Sequence, residues 1–266
     1  MDKSFLVRLF GFPATLLHGD PLVLDRWRWL KDRLPRTRNG ERLIDLGCGT
    51  GAFTIGAALR GYAAVGISQD ERNQRVVAER AALLGVRDID FPIQDLRTLD
   101  GRSGYLNTFD VAICFEAVEH ILDDRKLFRD IAACLQPGGM VLLTTPNYFY
   151  RAITAGDDGP FSPIEDGGHV RRGYTAAMLC ELCDESGLVP AEISYCSGLL
   201  SQKVCYLMRL LSRPFLLGWA LTLPLRVLPI LFERAIGRLS SWPYFSICLV
   251  AYKPRFGSAG AASPLC

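Results

Sequence analysis

Two acids and an imidazole stand together in Glu116-Ala117-Val118-Glu119-His120, and a second imidazole, His169, follows in Asp166-Gly167-Gly168-His169-Val170-Arg171-Arg172-Gly173-Tyr174. Carboxylates and imidazoles are the groups that take a proton from a hydroxyl near neutral pH. Glu116, Glu119, His120 and His169 are therefore the candidate catalytic residues. The other stretch that carries chemistry is Leu43-Ile44-Asp45-Leu46-Gly47-Cys48-Gly49-Thr50-Gly51, where an apolar run ends in an acid and glycines take every second position. Such a loop adopts dihedrals closed to other residues and lets a ligand lie against bare backbone. A helix starting at Gly51 or Ala52 turns its free N–H groups to that ligand. The spacing differs from G-x-G-x-x-G, in which a third glycine packs helix on strand around a pyrophosphate.

These residues need a scaffold, and the apolar patterning predicts one. Helices are expected at 20–34, 52–60, 71–84, 124–135 and 175–186. Buried strands are expected at 42–46, 62–67, 89–93, 109–114, 140–144, 191–195 and 244–252, with a sharp turn at 136–139. Strands alternating with helices imply an α/β fold, a doubly wound, mostly parallel seven-stranded sheet. Ligands in such sheets sit at the carboxyl ends of the strands. The loop 147–173 is long and rich in glycine, proline and aspartate, which marks a lid or binding segment.

Residues 43–145 resemble the class I S-adenosylmethionine-dependent methyltransferases motif by motif. The glycine loop matches the first motif, Phe109-Asp110-Val111-Ala112 the fourth strand, and Leu135-Gln136-Pro137-Gly138-Gly139 the turn before the fifth. The resemblance implies a Rossmann-like fold, S-adenosyl-L-methionine as cofactor, and methyl transfer. It implies that Asp45, Gly47, Cys48, Gly49 and Gly51 wrap the methionine part, with Asp45 orienting the amino group. Gln94, Asp95 and Phe115 are further expected cofactor-binding residues, Asp95 at the position that contacts the adenine amino group. One departure is plain. The second strand ends Gly66-Ile67-Ser68-Gln69-Asp70, with Ser68 where the family usually has the acid that holds the ribose. Gln69 or Asp70 can replace it through an amide or a carboxylate; alternatively Asp70 only caps the next helix.

The pattern E-x-x-E-H with a later histidine also resembles two metal-assisted branches, the ubiquinone-pathway O-methyltransferases and the small-RNA terminal 2′-O-methyltransferases. That resemblance implies that Glu116, Glu119, His120 and His169 hold a divalent ion, which lowers the pKa of an acceptor hydroxyl. Carboxylates suit magnesium, and imidazoles widen the choice to manganese or zinc. The alternative is a metal-free site with His169 or His120 as base. Arg171 and Arg172 either touch an anionic acceptor or make structural ion pairs.

Composition bounds the rest. The 266 residues are 49% hydrophobic and carry a net charge of +2, so nucleic acid is not expected as a partner. The nine cysteines follow no framework, which predicts reduced thiols in a cytoplasmic protein, with Cys180 and Cys183 packing inside a helix. The segment 199–241 is dominated by Leu, Phe, Pro and Arg, and prolines at 214, 224 and 229 divide it into short helices. Between 200 and 255 Glu233 is the sole acid against eight basic residues. Apolar faces with cationic edges suit an anionic membrane surface or a cover over a greasy substrate; the alternatives are a cap on the core or a homodimer interface. The expected organisation is an N-terminal helical cover at 1–38, a methyltransferase core at 39–198, the insert at 199–241, a last core strand at 242–254 and a flexible tail at 255–266. The 5–17 stretch is expected to fold over the cofactor, and His18 to be structural. The expected activity is O-methylation of a small or lipid-like acceptor at or near the inner face of a membrane. Carbon methylation or cyclopropanation of a lipid chain, or a noncatalytic cofactor-binding protein, are the rivals.

Overall fold

The computed structural model describes residues 4–17, 20–101, 103–211 and 220–255. Seven strands form one sheet in the order β3-β2-β1-β4-β5-β7-β6. They are β1 Arg42–Leu46, β2 Ala63–Ile67, β3 Ile89–Asp90, β4 Phe109–Phe115, β5 Leu135–Pro146, β6 Val189–Cys196 and β7 Ser246–Tyr252. β1, β2, β3, β4 and β5 run parallel, and β7 is antiparallel to both β5 and β6. The helices are α1 Phe5–Phe10, α2 Pro13–Leu17, α3 Leu22–Arg33, α4 Ala52–Ala58, α5 Glu71–Leu83, α6 Asp124–Cys134, α7 Ala176–Ser186, α8 Leu199–Leu210 and α9 Val227–Leu239. The central strands are apolar on both faces because helices cover both. On one face Ile44, Phe128, Leu143 and Leu249 share a core, and on the other Leu30, Leu43, Ile113 and Leu142 do.

The third strand is shorter than expected. Pro92 has no N–H to donate, and the Asp90 side chain accepts from Phe91 N at 2.9 Å, so pairing stops and resumes only as a bridge between Ser68 and Ile93. The turn at 136–139 lies inside β5 as a bulge against β4, where the register shifts between Phe109 and Val111. Gly138 supplies the positive φ of +88° there, and its N–H and the Gly139 carbonyl pair with Lys253. Pro229 does not divide the insert. It sits in the first turn of α9, where a missing N–H costs nothing. Pro214 and His18 lie outside the described residues. α1 and α2 cover α4 and α5, with Phe12 edge-on to Trp27 at 5.1 Å and packed against the Ile55–Val77 cluster. Cys48, Cys114, Cys134, Cys183, Cys196, Cys205 and Cys248 are buried free thiols. Cys180 and Cys183 are both buried on α7.

Candidate active site

The glycine loop leaves β1 with Gly47 and Cys48 both donating to the Ile67 carbonyl at 3.0 Å, which ties the tips of β1 and β2 together. Gly47, Gly49 and Gly51 all have positive φ. A methyl group at Gly51 would meet Val77 Cγ2 at 1.8 Å, so this glycine lets α4 pack on α5. At Gly49 it would meet nothing within 4 Å. The loop therefore presents open backbone beside a cleft of about 320 Å³ lined by Gly47, Ser68, Asp70, Asp95, Glu116 and His120. That open cradle at the tips of β1, β2 and β4 fits an extended nucleoside cofactor.

The expected cofactor residues divide into two groups. Gly47, Ser68, Gln69, Asp70 and Asp95 line the cleft. Asp45 is 1% exposed and faces inward, accepting from Thr54 Oγ1 at 2.6 Å, and burial pushes its carboxyl up to about 7. The Cys48 thiol lies 3.3 Å from Gln74 Oε1, and burial pushes it up. Phe115 is sandwiched edge-on between Trp29 and Phe53. The Gln94 amide donates to the Thr98 carbonyl at 3.1 Å. Asp70 caps α5, accepting from Asn73 N at 3.0 Å, while also lining the cleft.

Arg97 crosses the cleft wall. It donates to both Asp95 oxygens, to Gln69 Oε1 at 3.3 Å and to Glu165 Oε2 at 2.9 Å. The guanidinium holds the Asp95 carboxyl below its usual range. The ion pair to Glu165 joins the expected adenine and ribose groups to the 147–173 loop, whose Glu165 also accepts from Leu122 N. The pairing of Asp95 with an arginine two residues on was the available sequence signal.

The acids of E-x-x-E-H part company. Glu116 follows β4 with a left-handed φ of +49°. Its Oε2 lies 3.0 Å from Arg26 Nη2, and its Oε1 accepts from Thr144 Oγ1 at 3.0 Å and Ser246 Oγ at 3.1 Å. Arg26 is 8% exposed on the same α3 face as buried Leu22, Trp29 and Leu30. A cation on an apolar helix face is the signal that a buried acid awaits it.

Glu119 is fully buried. Thr145 Oγ1 donates to its Oε2 at 3.0 Å, and its Oε1 has no hydrogen-bond partner among the described residues. Burial, then the nearby Glu116, pushes its carboxyl well above the usual range. His120 Nδ1 lies 2.9 Å from the Gly168 carbonyl, which can only accept, so Nδ1 carries a proton and Nε2 is the ring nitrogen that points elsewhere. The His169 ring stands edge-on to His120 at 4.7 Å, and burial and His120 push its imidazole down, toward the neutral form. One ligand atom each of Glu119, His120 and His169 lies within 4.8 Å of the others, and Glu116 is outside this group. An orphaned carboxylate oxygen beside two imidazoles fits a divalent cation of the zinc or manganese kind.

The loop that delivers His169 is strapped down. Val170 N donates to the Glu119 carbonyl at 3.0 Å, and Ser162 N to the His169 carbonyl at 2.9 Å. Arg171 bonds Asp124 and the carbonyls of Ile121 and Leu122, and Arg172 bonds Asp158 and the carbonyls of Tyr148 and Tyr150. Both arginines are thus spent on structural pairs, the second of the two expected roles.

A family model described as a methyltransferase domain matches residues 22–193. The ubiquinone biosynthesis O-methyltransferase of Aeromonas salmonicida (strain A449) is 28% identical over 179 residues, 66% of this chain and 72% of the relative. The protein of the same name from Neisseria meningitidis serogroup C (strain 053442) is 32% identical over 160 residues, 58% of this chain and 66% of the relative. This chain therefore spans about two thirds of the length of those curated relatives. Among solved structures, an S-adenosylmethionine-dependent methyltransferase from Mesorhizobium loti shares the fold with a TM-score of 0.55 at 21% identity, over 89% of this chain and 99% of that one. With the motif order, the sheet order and a family match across the cofactor cleft all in agreement, the chain belongs to the class I S-adenosylmethionine-dependent methyltransferases.

Proposed function

We propose that the chain methylates a hydroxyl of a small or lipid-like acceptor, and that Glu119, His120 and His169 hold a divalent cation beside it. The observation that carries this is the fully buried Glu119, with one oxygen unpartnered, clustered with two imidazoles next to the cofactor cleft. When bound, S-adenosylmethionine supplies an electrophilic methyl on a sulfonium with a neutral leaving group. Gly47, Ser68, Gln69, Asp70 and Asp95, which line the cleft, hold the nucleoside and its amino-acid tail together with the open backbone at Gly49. A divalent cation in the cluster lowers the pKa of a coordinated hydroxyl. The strapped loop fixes His169 and excludes water from the acceptor side. A hydroxyl acceptor is supported by the two O-methyltransferase relatives, and a lipid-like one by the apolar insert. The same insert supports work at the periphery of a membrane; no helix among the described residues is long and apolar enough to cross one.

A second reading has its own observation. His169 is held toward the neutral imidazole, which lets it take the hydroxyl proton in a site without metal. One experiment separates the two. Purified protein is incubated with methyl-labelled cofactor and lipid and polar extracts, with excess chelator and with added manganese, zinc or magnesium. An O-methyl product that vanishes with chelator and returns with one ion supports the cation reading. Full turnover in chelator leaves His169 as base. A C-methyl product overturns hydroxyl transfer altogether.

A further inference from the structure

We infer that the outward face of α9 docks on an anionic lipid bilayer. The inference deepens the lipid-acceptor reading and rests on separate residues. α9 presents its apolar side to solvent. Val227, Leu228, Leu231, Phe232 and Leu239 are all exposed, Leu231 by 63% and Leu239 by 89%. Their spacing of three and four residues places them along one side of the helix. In a globular core this side would face inward, so something else covers it.

Charge selects the occupant. Glu233, the sole acid of the insert, turns away from this side and accepts from Leu200 N, Ser201 N and Ser201 Oγ at 2.9–3.2 Å, capping α8. Arg226 is buried against the Leu17 carbonyl, and Arg209 pairs with Asp157, so these two cations serve the fold. Arg234 and Arg238 are exposed seven residues on from Val227 and Leu231, in line with the apolar side, and make no hydrogen bond or ion pair among the described residues; Arg234 also lines the cleft toward α3 that Asp25 and Asp32 share. The outward side of α9 is therefore leucine and phenylalanine rimmed by arginine, with no carboxylate. A second copy docked through this side would set the same cationic patch against itself with no carboxylate to meet it, which disfavours it. A surface of anionic phosphates under acyl chains satisfies both parts.

The test is flotation of the full-length chain, without cofactor or acceptor. Vesicles are phosphatidylcholine alone, or phosphatidylcholine with three parts in ten phosphatidylglycerol. The wild-type chain is expected to float with the anionic vesicles and not with the neutral ones. R234Q/R238Q lowers partition about 30-fold, from roughly 1 kcal/mol for each basic residue at an anionic surface. L231S/F232S lowers it at least as far, and L83S on α5, an exposed leucine far along the chain, leaves it unchanged. Circular dichroism and binding of S-adenosylhomocysteine confirm that every variant is folded. Absence of wild-type flotation on anionic vesicles overturns the inference, as does equal binding by L231S/F232S. A wild-type dimer that L231S/F232S converts to monomer, with no vesicle binding, assigns the face to a second copy instead. Methyl transfer is scored separately on detergent-dispersed extract, so its failure and that of docking are told apart.

Discussion

Arg26 is the residue whose removal the structure judges most severely. It is a buried guanidinium from α3 that meets Glu116, itself a mostly buried acid, at 3.0 Å. Burial opposes the charge on Arg26, and Glu116, Asp20 and Glu119 among the surrounding groups together outweigh it, so the guanidinium is held more firmly protonated than usual. Arg26→Met keeps the apolar stem that packs beside Trp29 but leaves Glu116 with two hydroxyl donors and no counter-charge. Breaking one side of a buried pair costs about 3–5 kcal/mol. At roughly 2–4 °C per kcal/mol for a chain of this size, the melting temperature falls by about 6–20 °C. The double variant R26M/E116Q removes the stranded charge and recovers part of that loss, which a lone packing defect at residue 26 does not permit. Urea unfolding followed by tryptophan fluorescence measures all four corners of the cycle. An R26M midpoint equivalent to less than about 1 kcal/mol of change, or a double variant no better than R26M, refutes the buried-pair reading.

Gly51→Ala adds a backbone strain of about 1 kcal/mol at φ +79° and an overpacking cost of about 1–3 kcal/mol against Val77, so its urea midpoint reports a loss of about 2–4 kcal/mol. Asp45 has a folded pKa of about 7 against 3.8 in the unfolded chain, so between those values the folded state keeps a proton that the unfolded state has lost. Its contribution is present below pH 4 and is lost as pH rises toward 7; Asp45→Asn removes this slope, and the difference between the two stability–pH curves without cofactor checks it. Arg97→Met frees Asp95 and Gln69 for the nucleoside, and calorimetry with S-adenosylhomocysteine is expected to show binding several-fold tighter; unchanged or weaker binding means that Arg97 does not compete with the cofactor. Glu119→Gln removes the anionic ligand from the cluster, and the stoichiometry of zinc or manganese in the dialysed protein falls from one to near zero.

The strands at the candidate cofactor cleft were legible because each is buried on both faces and reads as a mostly apolar run, broken by Asp45 in 42–46 and by Asp110 in 109–114. What escaped were boundaries decided by single hydrogen bonds. The third strand stops because a proline and the Asp90 carboxylate remove two ladder donors. The glycine turn at 136–139 stays in the sheet because its backbone pairs with Lys253, more than a hundred residues away. Neither pairing leaves a trace in local periodicity.

The site was legible as a list of residue types but not as a division of labour. Glu116 and Glu119 look equivalent in E-x-x-E-H, and both were expected to serve one ion. The fold separates them. Glu116 leaves β4 in a left-handed turn and meets Arg26 from an N-terminal helix ninety residues earlier, along with Ser246 from the last strand. With its charge spent there, it raises the cost of a second negative charge on Glu119. A carboxyl pushed toward its neutral form by burial and then by its neighbour, with one oxygen unpartnered, is the one that gains most from a cation brought against it. The arginine on α3 thus decides which of the two acids in the motif is left with an unpartnered oxygen, and a motif read along the chain holds no trace of that choice.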